Sequence, residues 1–178
     1  VNNAGFGIDH AFHKIGVEDI RSMVMTHDLA AVEFIHAALP GMMSRRKGTI
    51  INVSSIGLFF PGFTRSLYLA TKSFLHYFTK ALSLEVYPYG IRLQSLCPGM
   101  TSTDFHERAR KNDPNSKIKN LNFMSPDRVV EISLKSLPLT MLFNASHFLN
   151  ILTISLSPEA NTALMIEGFI SILFEIFS

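Results

Sequence analysis

Apolar residues along this chain fall into two alternating rhythms: short β-branched runs, and longer stretches with a spacing of three to four. Residues 1–5 read as the end of a buried strand running into a glycine turn. A polar stretch with Glu18 and Asp19 then opens a helix. Its apolar positions are Ile20, Met23, Val24 and His27, followed by Ala31, Phe34, Ile35 and Ala38. Arg45, Arg46, Lys47 and Gly48 close it and lead into Thr49-Ile50-Ile51-Asn52-Val53, a run typical of a buried parallel strand. Pro61 and Gly62 mark a loop. The spacing predicts a long amphipathic helix over 66–87, stopped by Pro88 and Gly90, and a strand over 91–96, broken by Pro98-Gly99. Charged and polar residues predict a mobile surface segment over 106–120. Ser125-Pro126-Asp127 reads as a helix start, with Ser as cap and Pro in the first turn. Strands alternating with helices predict βαβ units on a parallel sheet, an α/β fold. There is no internal repeat.

The pattern changes after residue 137. The stretch 139–156 is apolar but carries Asn144, His147 and Asn150. A spanning helix needs about 20 mostly apolar residues, and three polar side chains weaken that case. Two readings compete for 138–178: an apolar wall of a substrate cavity with its packing helices, or a peripheral membrane contact. The chain therefore divides into 1–137 and an apolar C-terminal segment, 138–178.

Composition narrows this picture only a little. An apolar content of 47 % against 17 % charged excludes a disordered chain, and 178 residues suffice for one domain with a sizeable core. A net charge of +2 gives no basis for nucleic-acid binding. The charge is uneven, with all 16 Lys and Arg before Leu137 and only Glu159, Glu167 and Glu175 after it. Cys97 is the single cysteine, which rules out an intrachain disulfide and suits a reducing, cytoplasmic setting. No signal peptide is visible. The opening Val1-Asn2-Asn3-Ala4-Gly5 has no initiator Met and reads as the interior of a longer protein.

The strongest chemical signal is Tyr68 with Lys72, and the pair Ser54-Ser55 upstream. On a helix, a spacing of four puts phenol and ammonium on one face, about 5–6 Å apart at Cβ. A nearby cation favours the phenolate, so Lys72 is expected to lower the Tyr68 pKa from about 10 and make it a usable acid–base group.

Four motifs occur in order: Asn2-Asn3-Ala4-Gly5, Ile51-Asn52-Val53-Ser54-Ser55, Tyr68-x-x-x-Lys72 and Cys97-Pro98-Gly99-Met100-Thr101-Ser102-Thr103. Together they strongly resemble the short-chain dehydrogenase/reductase family of NAD(P)-dependent oxidoreductases, over about residues 1–137. The resemblance implies a Rossmann-like doubly wound parallel sheet and hydride transfer between NAD(P)(H), NADP ahead of NAD, and a small-molecule carbonyl or alcohol substrate. Ser55 lies thirteen residues before Tyr68, the family's spacing, and is the implied catalytic serine. Its hydroxyl would polarise the carbonyl, Tyr68 would transfer the proton, and Lys72 would hold the nicotinamide ribose. Asn3, Ala4 and Gly5 resemble the turn beside the cofactor, although the Asn side chain could equally tie neighbouring strands together. Pro98, Gly99 and Thr103 resemble the turn that meets the nicotinamide carboxamide. No metal site is implied, and a homo-oligomer is. The apolar tail points to a hydrophobic substrate. Cys97 reads as a small buried hydrophobe at the strand end.

Two departures stand out. His27 occupies a place where the family's helix usually carries an asparagine that helps hold a water in the proton relay. It could serve that relay, since His titrates near pH 6.5, or simply pack the helix. The family's Gly-rich phosphate turn is absent from the chain, so the sheet is expected to lack its N-terminal strands and helices. The rival reading is a non-catalytic or fragmentary relative that keeps the fold for protein or membrane contacts.

Overall fold

A computed structural model describes residues 1–60, 62, 64–103 and 123–137. The surface segment expected at 106–120, Pro61 and the apolar segment 138–178 lie outside the described residues. The first helical rod is α1 (Val17–Val24), a π-helical turn (Met25–Leu29) and α2 (Ala30–Ser44). The sequence pattern predicts a single helix here. The structure instead inserts one residue into the rod, with the Ala30 N–H bonding back to the Met25 carbonyl. Such π turns tend to occur at functional sites, and this one carries His27 and Asp28.

Strands β1 (Gly48–Val53) and β2 (Ile91–Leu96) pair in parallel, Ile50 opposite Leu93 and Asn52 opposite Ser95. The helix α3 (Ser66–Val86) forms the crossover between them. At its far end, Gly90 takes φ 71° where a Cβ would lie 2.8 Å from the Arg46 carbonyl oxygen, so only glycine fits this corner. The last described helix, α4 (Pro126–Ser136), is capped as expected: the Ser125 hydroxyl accepts from the Arg128 N–H.

Period-two alternation gives the strands two different faces. Ile50, Ile91 and Leu93 pack with Ile35, Leu82 and Val86 on the face covered by α2 and α3. Leu96, with Ile51 and Val53, packs on Val129 and Ile132 of α4. Helices on both faces of a parallel sheet define the doubly wound α/β architecture. The polar side chain of Gln94 is buried with a partner. Gln94 Nε2 donates to the Ser133 carbonyl (3.1 Å), and its Oε1 accepts from the Ser133 hydroxyl (2.6 Å).

The first residues do not form a buried strand. They meet β1 through one parallel bridge, Asn2 to Asn52, and Val1 is 85 % exposed because the described residues place only β1 beside this segment. The strand-tying side chain is Asn2 rather than Asn3. Asn2 Nδ2 donates to Asn52 Oδ1 (2.7 Å), Asn52 Nδ2 donates to Thr79 Oγ1 (2.8 Å), and Thr79 donates to the Leu75 carbonyl (2.6 Å). Among the described residues, no helix is long and apolar enough to cross a membrane.

Candidate active site

The C-terminal end of β1 and the first turns of α3 converge. Ser54 and Ser55 leave β1 in succession, so their side chains diverge. Ser54 is buried and its hydroxyl donates to the Lys72 carbonyl (2.7 Å), which fixes the strand end to α3. Ser55 caps the short turn Ile56–Phe59, accepting from the Gly57 N–H, and lies close enough to the Tyr68 phenol to pull its pKa down. The adjacent Ile56 N–H donates to the Pro98 carbonyl (3.0 Å), which ties the serine loop to the turn after β2.

Lys72 is 5 % exposed. Its ammonium donates to the Val53 carbonyl (2.9 Å) and lies 5.8 Å from the Tyr68 ring centroid. An ammonium has three N–H groups, and this is its one hydrogen bond among the described residues. Burial lowers the Lys72 pKa, and the Asp28 carboxylate acts against that shift.

The pKa of Tyr68 moves opposite to the sequence expectation. It is raised, first by burial, while the Ser55 hydrogen bond and the Arg65 charge pull it down and Asp9 pushes it up. Lys72 is turned to the Val53 carbonyl and does not overcome the desolvation. Tyr68 therefore holds its proton firmly in this arrangement.

His27 is 1 % exposed and both ring nitrogens are engaged. Nε2 accepts from the Phe6 N–H (2.9 Å), and Nδ1 lies 2.9 Å from the Thr71 hydroxyl oxygen. The Thr71 hydroxyl proton is already donated to the Tyr68 carbonyl (2.8 Å), so His27 must carry its proton on Nδ1. Burial and the Lys72 charge push its pKa down to about 4. The ring is thus a neutral brace between the loop at Phe6 and the backbone of Tyr68, which favours the packing role over the relay. Asp28, next in the π turn, is pushed up to about 6 by burial, opposed by Lys72, and its Oδ1 is buried without a hydrogen-bond partner among the described residues.

The other expected cofactor residues separate into groups. A Cβ on Gly5 would come 3.1 Å from His27 Nε2 and 3.5 Å from Lys72 Nζ, so a side chain here would press on the His27 ring, which would have to give by a few tenths of an ångström. Asn3 and Ala4 instead line a cavity of about 250 Å³ with Thr26, His27 and Phe34. Pro98 and Gly99 are half-buried, and a Cβ on Gly99 would have nothing within 4 Å. Thr103 is exposed. Cys97 is buried and its thiol is pushed up to about 11, an inert group that fits the small-hydrophobe reading.

Sequence reasoning missed Asp9 and Arg65. Arg65 Nε and Nη2 donate to Asp9 Oδ1 and Oδ2 at 2.8 and 3.4 Å, and both residues line a small cavity of about 10 Å³ with Gly7, Ile8 and Tyr68. They are 56 residues apart, so no local pattern could have paired them.

Known proteins resemble this chain in sequence and in fold. The short chain dehydrogenase family matches residues 1–114, and the chain belongs to the short-chain dehydrogenase/reductase family of oxidoreductases. It is 32 % identical over 137 residues to an NADP-dependent 3-hydroxy acid dehydrogenase of Salmonella typhi, covering 74 % of this chain and 55 % of that protein. The chain thus spans about half the length of the curated relatives it matches. A short-chain dehydrogenase from Sphingobium yanoikuyae, solved with NADPH, superposes with TM-score 0.70 at 28 % identity, covering 78 % of this chain and 53 % of that one. The bulky-bulky ketone specific alcohol dehydrogenase of Comamonas testosteroni gives TM-score 0.67 at 27 % identity, with coverages of 79 % and 51 %. The doubly wound, Rossmann-like α/β fold is therefore shared with these enzymes.

Proposed function

We propose that this chain carries the catalytic portion, residues 1–137, of an NAD(P)-dependent oxidoreductase that interconverts a carbonyl and an alcohol, with 138–178 as its apolar C-terminal extension. One observation carries the reading: Tyr68 stands between Ser55, which pulls its pKa down, and the buried Lys72 ammonium, 5.8 Å from its ring centroid. Two of the relatives named above are NADP-dependent or bound to NADPH, which favours NADP here.

The residues present fit such a cofactor. Lys72 has N–H groups beyond the one given to Val53, suited to ribose hydroxyls, and the Cβ-free Gly5 leaves backbone close to that ammonium. Gly5, Lys72, Pro98 and Gly99 are the groups that would hold it, and the nicotinamide would supply the hydride. Ser55 would donate a hydrogen bond to the carbonyl oxygen and stabilise the charge that develops there. Tyr68, whose pKa is raised, enters the reduction protonated and gives its phenolic proton to that oxygen. The phenolate left behind would form beside the Lys72 ammonium, which stabilises it at the moment it appears.

The test is oxidation of NADPH by the full-length protein across a panel of hydrophobic ketones and aldehydes. Turnover with at least one is expected. A folded protein that binds NADPH and reduces none would support a non-catalytic relative instead.

A further inference from the structure

We propose that the Asp9–Arg65 ion pair is a charge filter at the carbonyl site, so that the enzyme accepts uncharged ketones and aldehydes and rejects substrates bearing a carboxylate near the carbonyl. This rests on the catalytic reading above. Arg65 stands immediately before α3, and with Asp9 and Tyr68 it lines one small cavity. A carboxylate two bonds from a carbonyl held by Ser55 and Tyr68 therefore reaches the guanidinium. A free arginine there would be a carboxylate receptor, since its planar fork takes both oxygens.

Here the fork is already filled. Asp9 occupies Nε at 2.8 Å and Nη2 at 3.4 Å, and the two side chains are only 32 % and 27 % exposed. An incoming carboxylate must either displace Asp9 or dock on the remaining Nη1 N–H groups, and in both cases it lies beside the Asp9 carboxylate. The wall facing Tyr68 is therefore neutral as a pair, and repels an anion once the pair opens. Arg65 and Asp9 act on the Tyr68 phenol in opposite directions, as expected if both face it. The relatives' names span both substrate classes, 3-hydroxy acids and bulky ketones, and the pair selects the second.

The test compares a 3-oxo carboxylate with its methyl ester in the full-length protein. The wild type should favour the ester by at least about tenfold in kcat/KM. Asp9→Asn frees the guanidinium and should shift the ratio toward the carboxylate by about tenfold or more, and adding Arg65→Gln should abolish that gain. Asp9→Glu keeps the charge and should keep the wild-type preference, which also guards against a misfolded Asn variant. Calorimetric titration of cofactor-free protein with the matching 3-hydroxy carboxylate gives a second readout: binding to Asp9→Asn and none to the wild type. A wild type that prefers the carboxylate, or a folded Asp9→Asn with an unchanged ratio, overturns the filter. If neither substrate is reduced by any variant, the catalytic reading fails, and the calorimetry alone then decides whether Arg65 is masked.

Discussion

The two ends of β1 are built on opposite principles. Toward Ile50 the strand is embedded in side chains without polar atoms: Ile35, Leu82, Val86, Ile91 and Leu93. Toward Ser55 the same strand is lined by Asn52, Ser54, Thr71, Thr79, His27 and Lys72, all buried and nearly all hydrogen-bonded to one another or to backbone. The apolar end derives its stability from burial and packing. The polar end contributes little net stability per bond, but each partner left alone would be costly, so the network fixes geometry more than it adds stability. One atom breaks the rule. Asp28 Oδ1 is buried with no hydrogen-bond partner among the described residues, near the buried Lys72 ammonium.

If this contrast is right, substitutions at the two ends should separate stability from activity. The largest effect on stability is expected at Ile91, 2 % exposed. Ile91→Ala should cost about 2–5 kcal/mol in urea melts while the folded fraction keeps its turnover. At the polar end, Ser55→Ala should lower kcat by about 10²–10³, with a melting transition near that of wild type. A Ser55→Ala protein that loses stability and keeps kcat would reverse the assignment of the two ends.

A smaller effect sharpens the comparison through pH. His27 titrates near 4 when folded against 6.5 in an unfolded chain, so its contribution to stability is full above pH 6.5 and is lost as pH falls toward 4. Asp28 is raised to about 6 from 3.8, so its contribution is full below pH 3.8 and is lost as pH rises through 6. The two slopes oppose each other between pH 4 and 6. Asp28→Asn should therefore expose a steeper acid destabilisation in this window, and His27→Asn should leave the opposite slope, stability rising as pH falls from 6 to 4. Urea midpoints taken at several pH values check both, and parallel profiles for all three proteins would contradict the assignments.

Much of this was legible in the chain because it is local or periodic. The strand over 91–96, the start of α3 at Ser66 and the Ser125 cap follow from β-branched runs, helical spacing and cap chemistry. The choice of Ser55 over Ser54 comes from the family resemblance; in the fold Ser54 is committed to the Lys72 carbonyl. What stayed hidden depends on tertiary placement. A π turn leaves no mark on apolar periodicity, and the Asp9–Arg65 pair joins distant loops. The direction of the Tyr68 shift depends on how burial weighs against charge, which spacing along a helix cannot supply.

The central claim, that Tyr68 gives the proton in a hydride-transfer site built with Ser55 and Lys72, is tested most directly by single-turnover NADPH oxidation with a hydrophobic ketone in the full-length protein and its Tyr68→Phe variant. Removing only the phenolic oxygen should slow the step by about 10²–10⁴, with NADPH affinity and melting temperature retained. A Tyr68→Phe protein that oxidises NADPH at the wild-type rate would contradict the account.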